Sequence, residues 1–178
     1  MCGGRSQRMG RDKALLPFGG VPLVVHVAQV VAGATGSATL VGPRERYGEL
    51  GWPWVEDEVS GEGPLGGLIA ALAASTAERS LVVACDMPRL QVESLQALIQ
   101  HVSDADVVVA CGERGIEPLC AVYQRRCLPV LRSALREGER AVRRVLERLV
   151  VDEWMVSDSR LVTNANTAAE WAVVESGG

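Results

Sequence analysis

Four short apolar runs, rich in β-branched residues, recur along the chain: "SATLVG" (37–42), "SLVVAC" (80–85), "ADVVVAC" (105–111) and "LCAVY" (119–123). Their apolarity is unbroken rather than alternating, which marks strands covered on both faces and predicts a mainly parallel sheet. Between them lie helical patterns: "PLVVHVAQVVAG" ending at Gly33, "GPLGGLIAALAAS" with Pro64 in its first turn, "VESLQALIQHV", and the pair "CLPVLRSALREG" and "ERAVRRVLERL". Proline just inside a helix start and glycine just past its end support these boundaries. Strand and helix alternate along most of the chain, so the pattern predicts a three-layer α/β/α sandwich with a doubly wound sheet, forming a single domain over residues 1–178. In that architecture ligands bind at the carboxyl ends of strands. The chain shows no internal repeat, low-complexity tract or linker.

Composition narrows the partners. A hydrophobic fraction of 48% over 178 residues supplies enough apolar surface for one packed core. Eighteen Lys and Arg against 22 Asp and Glu leave a formal charge of -4, which gathers no nucleic acid polymer. A small phosphorylated ligand is compatible, because the local cluster Arg5, Arg8, Arg11 and Lys13 acts over roughly one 8 Å Debye length. The five cysteines are odd in number and form no C-x-x-C pair, so neither a disulfide framework nor a cysteine zinc cage is indicated. No apolar run reaches the roughly 20 residues of a membrane span and no secretory signal opens the chain, so a cytoplasmic protein without membrane attachment is expected.

The opening stretch carries the densest chemistry. Gly3, Gly4, Arg5, Arg8, Gly10 and Lys13 follow the spacing G-G-R-x-x-R-x-G-x-x-K. Paired glycines let a backbone approach an anion closely, and three side-chain cations can neutralise a triphosphate. The Gly-Lys-Ser/Thr ending of a Walker A loop is absent. At the end of the second apolar run stands Cys85-Asp86-Met87-Pro88. A carboxylate there can hold Mg²⁺, which prefers one or two carboxylates, waters and phosphate oxygens, or it can cap the turn before "RLQVESL". The basic loop favours the metal, because a phosphate cradle in the same fold calls for a cation.

Two further stretches are more equivocal. In "EDEVSGEGPLGGL", Glu56, Asp57 and Glu58 run through glycines, including Gly63, into a helix; they suit the rim of a donor-rich base such as guanine, and equally the dipole of a helix start. In "TNANTAAEW", Asn164 and Asn166 share a side if the backbone is extended, while Thr167 and Glu170 read as a capping box. His26, within an apolar helix pattern, and His101, at a helix end, read as packing and capping residues, since no partner stands at a telling spacing. Arg143, Arg144 and Arg148 read as a solvated helix face.

Taken together these residues resemble the molybdenum cofactor guanylyltransferases (molybdopterin-guanine dinucleotide synthases). The resemblance runs through "GGRSQRMGRDKALLPFGGVPL", "GEGPLGGLIAAL", "VVACDMPRL", "EPLCAVY", "LREGERAVRRVLERL" and "TNANTAAE", in the family's order. It implies a fold like the nucleotide-diphospho-sugar transferases and a reaction joining GMP from GTP to the terminal phosphate of molybdopterin, with release of pyrophosphate and with Mg²⁺ as cofactor. By the same resemblance the GTP loop is Met1, Cys2, Gly3 and Gly4, with Lys13, Asp57, Gly63 and Asp86 also at the nucleotide. Lys13, Arg5, Arg8 and Asp86 would carry the chemistry, Asp86 would hold the metal, and Asn164 and Asn166 would face the acceptor. Molybdoenzymes or their chaperones are the implied recipients.

Two departures stand out. The family carries a hydrophobic strand before the glycine loop, of which only Met1 and Cys2 represent the end, and the expectation is a native chain extending upstream. The final loop reads "NTAAEW" where the family usually has Asn-Thr-Pro-Glu-Asp. Rival readings are the sister cytidylyltransferases, which typically carry Ala-Ala-Gly and Gly-Asp-Gln-Pro where this chain has "CGG" and "CDMP"; a sugar-phosphate nucleotidyltransferase, which needs more chain; and a non-catalytic nucleotide-binding relative.

Overall fold

The structure, a computed structural model, describes residue 1, residues 12–56 and residues 63–165. Its centre is a four-stranded sheet in the order β5 (Arg79–Val83), β7 (Gly115–Gln124), β6 (Val107–Gly112), β8 (Val151–Met155). Side-chain alternation splits this sheet into two buried faces. On one face Val83, Val108, Ala110, Cys120 and Val122 pack with Leu23 and Val27 of α1 (Leu23–Thr35) and Leu95 and Leu98 of α4 (Val92–Gln100). On the other, Val82, Val107, Val109, Ala121 and Tyr123 meet α3 (Gly63–Ala74), α5 (Leu128–Arg136) and α6 (Val142–Leu146) through Leu65, Leu68, Leu131 and Val145. Three layers result, as the unbroken apolar runs require.

Strand direction departs from the mainly parallel expectation. β7 runs antiparallel to both β5 and β6, and β8 alone pairs parallel within this sheet. Unbroken apolarity reports burial of both faces and carries no information on direction. Direction is set by the two-residue turn Glu113–Arg114, between the paired Gly112 and Gly115, which folds β6 back on β7 as a hairpin. Neither Glu113 nor Arg114 has positive φ; the left-handed residue is Gly115, with φ +91°, directly after them, where glycine takes that geometry without strain.

The end of α1 also differs from the sequence reading. Gly33 lies inside the helix, and the cap is Gly36, with φ 82° and its N–H on the Ala32 carbonyl. Gly33 instead marks a close helix crossing: a Cβ there would stand 2.9 Å from a Val92 methyl at the start of α4.

Smaller elements surround the sheet. β1 (Pro17–Phe18) and β2 (Val21–Pro22) form a hairpin leading into α1, while β3 (Leu40–Val41) and β4 (Trp54–Val55) pair in parallel around α2 (Arg44–Tyr47). Met1 lies beside the end of β5. Its N–H donates to the Val83 carbonyl at 2.6 Å and its carbonyl accepts from Cys85 N–H at 3.1 Å, the bonding of one parallel bridge. Between β3 and β5 runs a cavity of about 590 Å³, lined mainly by apolar side chains such as Val27, Val31 and Ala71, with Met1 and Cys85 among its walls. Lys13 and Asp86 lie outside its lining. Among the described residues no helix is long and apolar enough to cross a membrane.

The β6–β7 ladder holds one irregularity that matters below. Val109 pairs with Ala121, but the next residue, Ala110, pairs with Glu117, so Pro118, Leu119 and Cys120 bulge away from β6. Those residues follow β5 instead, with Cys120 opposite Val83 and the Leu119 carbonyl accepting from Ala84 N–H at 2.7 Å. The fully buried Tyr123 hydroxyl pins the bulge by donating to the Pro118 carbonyl at 2.7 Å. Tyr123→Phe is expected to destabilise the fold by about 1–2 kcal/mol in urea titration, because the partly buried Pro118 carbonyl loses its donor. An unchanged unfolding midpoint would show that the bulge holds itself.

Candidate active site

Lys13 opens a short 3-10 turn (Lys13–Leu15). Its backbone is fixed by Asp12, whose Oδ1 caps the turn at Ala14 N–H (3.1 Å) and whose Oδ2 accepts from Arg46 Nη1 (3.1 Å) and the buried Tyr47 hydroxyl (2.9 Å). The Lys13 ammonium donates to the carbonyl of Ala165, a residue far along the chain, at 3.4 Å. Ala165 N–H in turn donates to the Asp86 carbonyl at 2.9 Å. One residue of the final loop thus ties Lys13 to Asp86.

Asp86 stands just past the carboxyl end of β5. Among the described residues its buried Oδ1 accepts no hydrogen bond, and α4 starts after Gln91 without a side-chain cap, so Asp86 does not cap that helix. Burial pushes the Asp86 carboxyl above the usual carboxylate range, against its own backbone N–H, Lys13 and the amino group of Met1, which pull it down. Asn164 Oδ1 is a second buried acceptor without a partner, one residue from Ala165. Asn164 Nδ2 lies 3.5 Å from Glu117 Oε2. Burial likewise raises the Glu117 carboxyl; Arg143, the Asn164 amide and Arg114 lower it, and the charge of Asp86 pushes it up again.

Of the sequence candidates, Met1, Lys13, Asp86 and Asn164 converge here. Gly63 opens α3 with φ +68° beside the Arg140 backbone. Cys2, Gly3, Gly4, Arg5, Arg8, Gly10, Asp57 and Asn166 lie outside the described residues. His26 packs edge-on against Phe18, its ring centroid 4.6 Å away, with Nε2 3.1 Å from the Pro88 carbonyl; His101 pairs with Asp152 at 3.0 Å. His26 is thus packed, and His101 stands at the C-terminal end of α4. Cys111, Cys120 and Cys127 are buried free thiols, with burial pushing Cys120 up to about 12 and Cys127 up to about 11, which removes them as nucleophiles.

The donor set fits a hard divalent cation. Two buried oxygens, Asp86 Oδ1 and Asn164 Oδ1, have no protein donor, and no group of three or more His, Cys, Asp or Glu forms a metal cage among the described residues. Mg²⁺ is bound in this sparse way, through one or two carboxylates with waters and substrate phosphates completing the shell.

Residues 1–154 match the family model described as the MobA-like NTP transferase domain. The chain belongs to this family. It is 35% identical, over 182 aligned residues, to a protein from Nostoc sp. named probable molybdenum cofactor guanylyltransferase, covering 98% of this chain and 88% of that one. The crystal structure of molybdopterin-guanine dinucleotide biosynthesis protein A from Archaeoglobus fulgidus superimposes with a TM-score of 0.82 at 25% identity, covering 98% of this chain and 94% of that chain. A nucleotidyl transferase from Methanothermobacter, at 18% identity and TM-score 0.81 with 98% and 93% coverage, shows the same fold. The α/β class predicted from the apolar runs therefore holds, with a mixed sheet in place of a mainly parallel one.

Two residues around this candidate site escaped the sequence reading. Asp12 is indistinguishable in sequence from any charged residue of a basic loop, and nothing but its contacts reveals it as the anchor of Lys13. Glu117 had a signal: Pro118 interrupts an otherwise apolar strand, and proline within a strand marks a bulge, where side chains are re-aimed.

Proposed function

We propose that the chain transfers GMP from GTP to the terminal phosphate of molybdopterin and releases pyrophosphate, with Mg²⁺ bound at Asp86. The observation that carries this reading is the Lys13–Ala165–Asp86 connection, which gathers a phosphate-type cation and a metal-type carboxylate at one strand end. The names of the relatives supply the acceptor and the nucleotide.

A phosphate monoester with a second pKa near 6 is already largely ionised at neutral pH, so the attacking oxygen needs positioning more than a base. The acceptor oxygen forms a bond to the α-phosphorus of GTP as the bond from that phosphorus to the α,β-bridging oxygen breaks, and the electron pair leaves with pyrophosphate. Lys13, steadied by Asp12, stabilises the negative charge that gathers on the leaving group. Arg5 and Arg8 would add to the same field. Asp86, with phosphate oxygens of the substrate, would hold Mg²⁺, which supplies Lewis-acid charge neutralisation when bound. Asn164 lines the acceptor side, and the Met1–Gly4 loop with Asp57 and Gly63 would receive the nucleotide.

The test is pyrophosphate release in the presence of molybdopterin and Mg²⁺, run with GTP and CTP side by side. Release with GTP and little with CTP is expected. A preference for CTP would assign the chain to cytidylyl transfer, and nucleotide binding without release from either would make it a binding module.

A further inference from the structure

Glu117 sits where an ordinary antiparallel ladder would not place it. Without the bulge, Ala110 would face Cys120; with it, Glu117 takes that position, and the excursion Pro118–Cys120 hugs the end of β5 that leads into Asp86. A bulge costs ladder hydrogen bonds and is a common device for turning one side chain toward a site. Here it brings a half-buried carboxylate to Asn164. A carboxylate only accepts, so the side of the Asn164 amide facing Glu117 must be its NH₂. The amide carbonyl is thereby directed away from Glu117, and that oxygen is the one buried without a partner. It belongs to the residue next to Ala165, whose N–H is bonded to Asp86.

We infer that Glu117 is a positioning residue of the transferase site: by taking the Asn164 N–H it turns the Asn164 carbonyl to share, with Asp86, the holding of a divalent cation. The inference rests on the cation reading of Asp86 given above and adds to it a residue from a different strand. Glu117 acts through Asn164 and is itself no ligand. Arg143, which donates to the neighbouring Ile116 carbonyl from α6, offsets the charge of the carboxylate so that it can remain half-buried.

Mn²⁺ alone is the probe, titrated against the protein and followed by the electron paramagnetic resonance signal of the free ion, so no turnover is needed. Glu117→Ala and Asn164→Ala are each expected to weaken Mn²⁺ binding about tenfold, the usual effect of losing an outer partner of a metal site. The double variant should be no weaker than either single one, because both remove the same carbonyl. Glu117→Gln keeps an acceptor oxygen for the Asn164 N–H and should bind within about twofold of the unaltered protein, the ordinary scatter of such comparisons. Circular dichroism and thermal melting confirm that each variant is folded. Three results overturn the inference: Glu117→Ala binding as tightly as the unaltered protein, Glu117→Gln as weak as Glu117→Ala, or a double variant about a hundredfold weaker, the product of two independent effects. The underlying cation reading fails separately. If Asp86→Ala binds Mn²⁺ unchanged, or the unaltered protein binds none, both fall; if Asp86→Ala loses the ion while Glu117→Ala does not, the role of Glu117 alone falls.

Discussion

Asp86→Ala is expected to lower kcat for pyrophosphate release about a thousandfold and, at the same time, to raise the melting temperature. The first effect follows from losing the carboxylate that would place the cation, since a bound metal contributes several kcal/mol of charge stabilisation in the transition state. The second follows from what the side chain does without substrate. Its Oδ1 is buried with no donor, and burial raises its pKa, so the native state holds the proton more tightly than the unfolded chain does. A carboxyl shifted in this direction opposes folding once it is ionised; the penalty grows as pH rises from the unfolded value through the raised native one and vanishes on acidification below the unfolded value. Removing the group should return on the order of 1–3 kcal/mol. The substitution leaves the main-chain bond from Ala165 to Asp86 in place, so the local path of the chain is kept. An active-site group that weakens its own scaffold is the usual trade between activity and stability. Activity loss with a lower melting temperature would indicate a structural carboxylate, and an unchanged kcat would remove Asp86 from the reaction.

Lys13→Ala should cost about 10²–10³ in kcat, the range seen when one preorganised donor to developing charge is removed. Lys13→Arg should recover part of it, because the charge returns at an altered reach. The substitution also removes the ammonium contact to Ala165, a partly buried bond worth only about 1 kcal/mol, so the fold should survive. The informative comparison is between kcat and KM for GTP. A lysine that serves the departing pyrophosphate lowers kcat more than it raises KM, whereas one that only recruits the triphosphate raises KM alone. Near-normal kcat in Lys13→Ala would contradict the role assigned here.

How much of this was legible beforehand differs by residue. The strand-end position of Asp86 was readable because a buried run stops there and an acid follows, a juxtaposition that burial alone does not favour. Lys13 was readable as part of a charge cluster, but its anchoring by Asp12, Arg46 and Tyr47 joins residues more than thirty positions apart, which no local pattern encodes. The two-sided burial of the sheet followed directly from its apolar runs, while the direction of β7 depended on two polar residues, Glu113 and Arg114, that carry no hydrophobic signal. Gly33 and Gly36 show the same limit at smaller scale. Gly33 reads as the helix stop, and only the approach of Val92 shows that it is a packing glycine while the cap lies three residues on at Gly36. Glu117 lay within a recognised stretch, yet its aim depends on three residues leaving a ladder, a three-dimensional event.

The buried thiols give the molecule a built-in clock. Cys111 sits on β6, Cys120 on β7 and Cys127 at the entrance to α5, all shielded and all held in the unreactive protonated form. An alkylating reagent can reach them only when those elements part, so the pace at which each sulfur is labelled measures how often its own segment opens. Comparing the three rates, with and without nucleotide, would reveal whether ligand tightens the hairpin, the outer helices, or both.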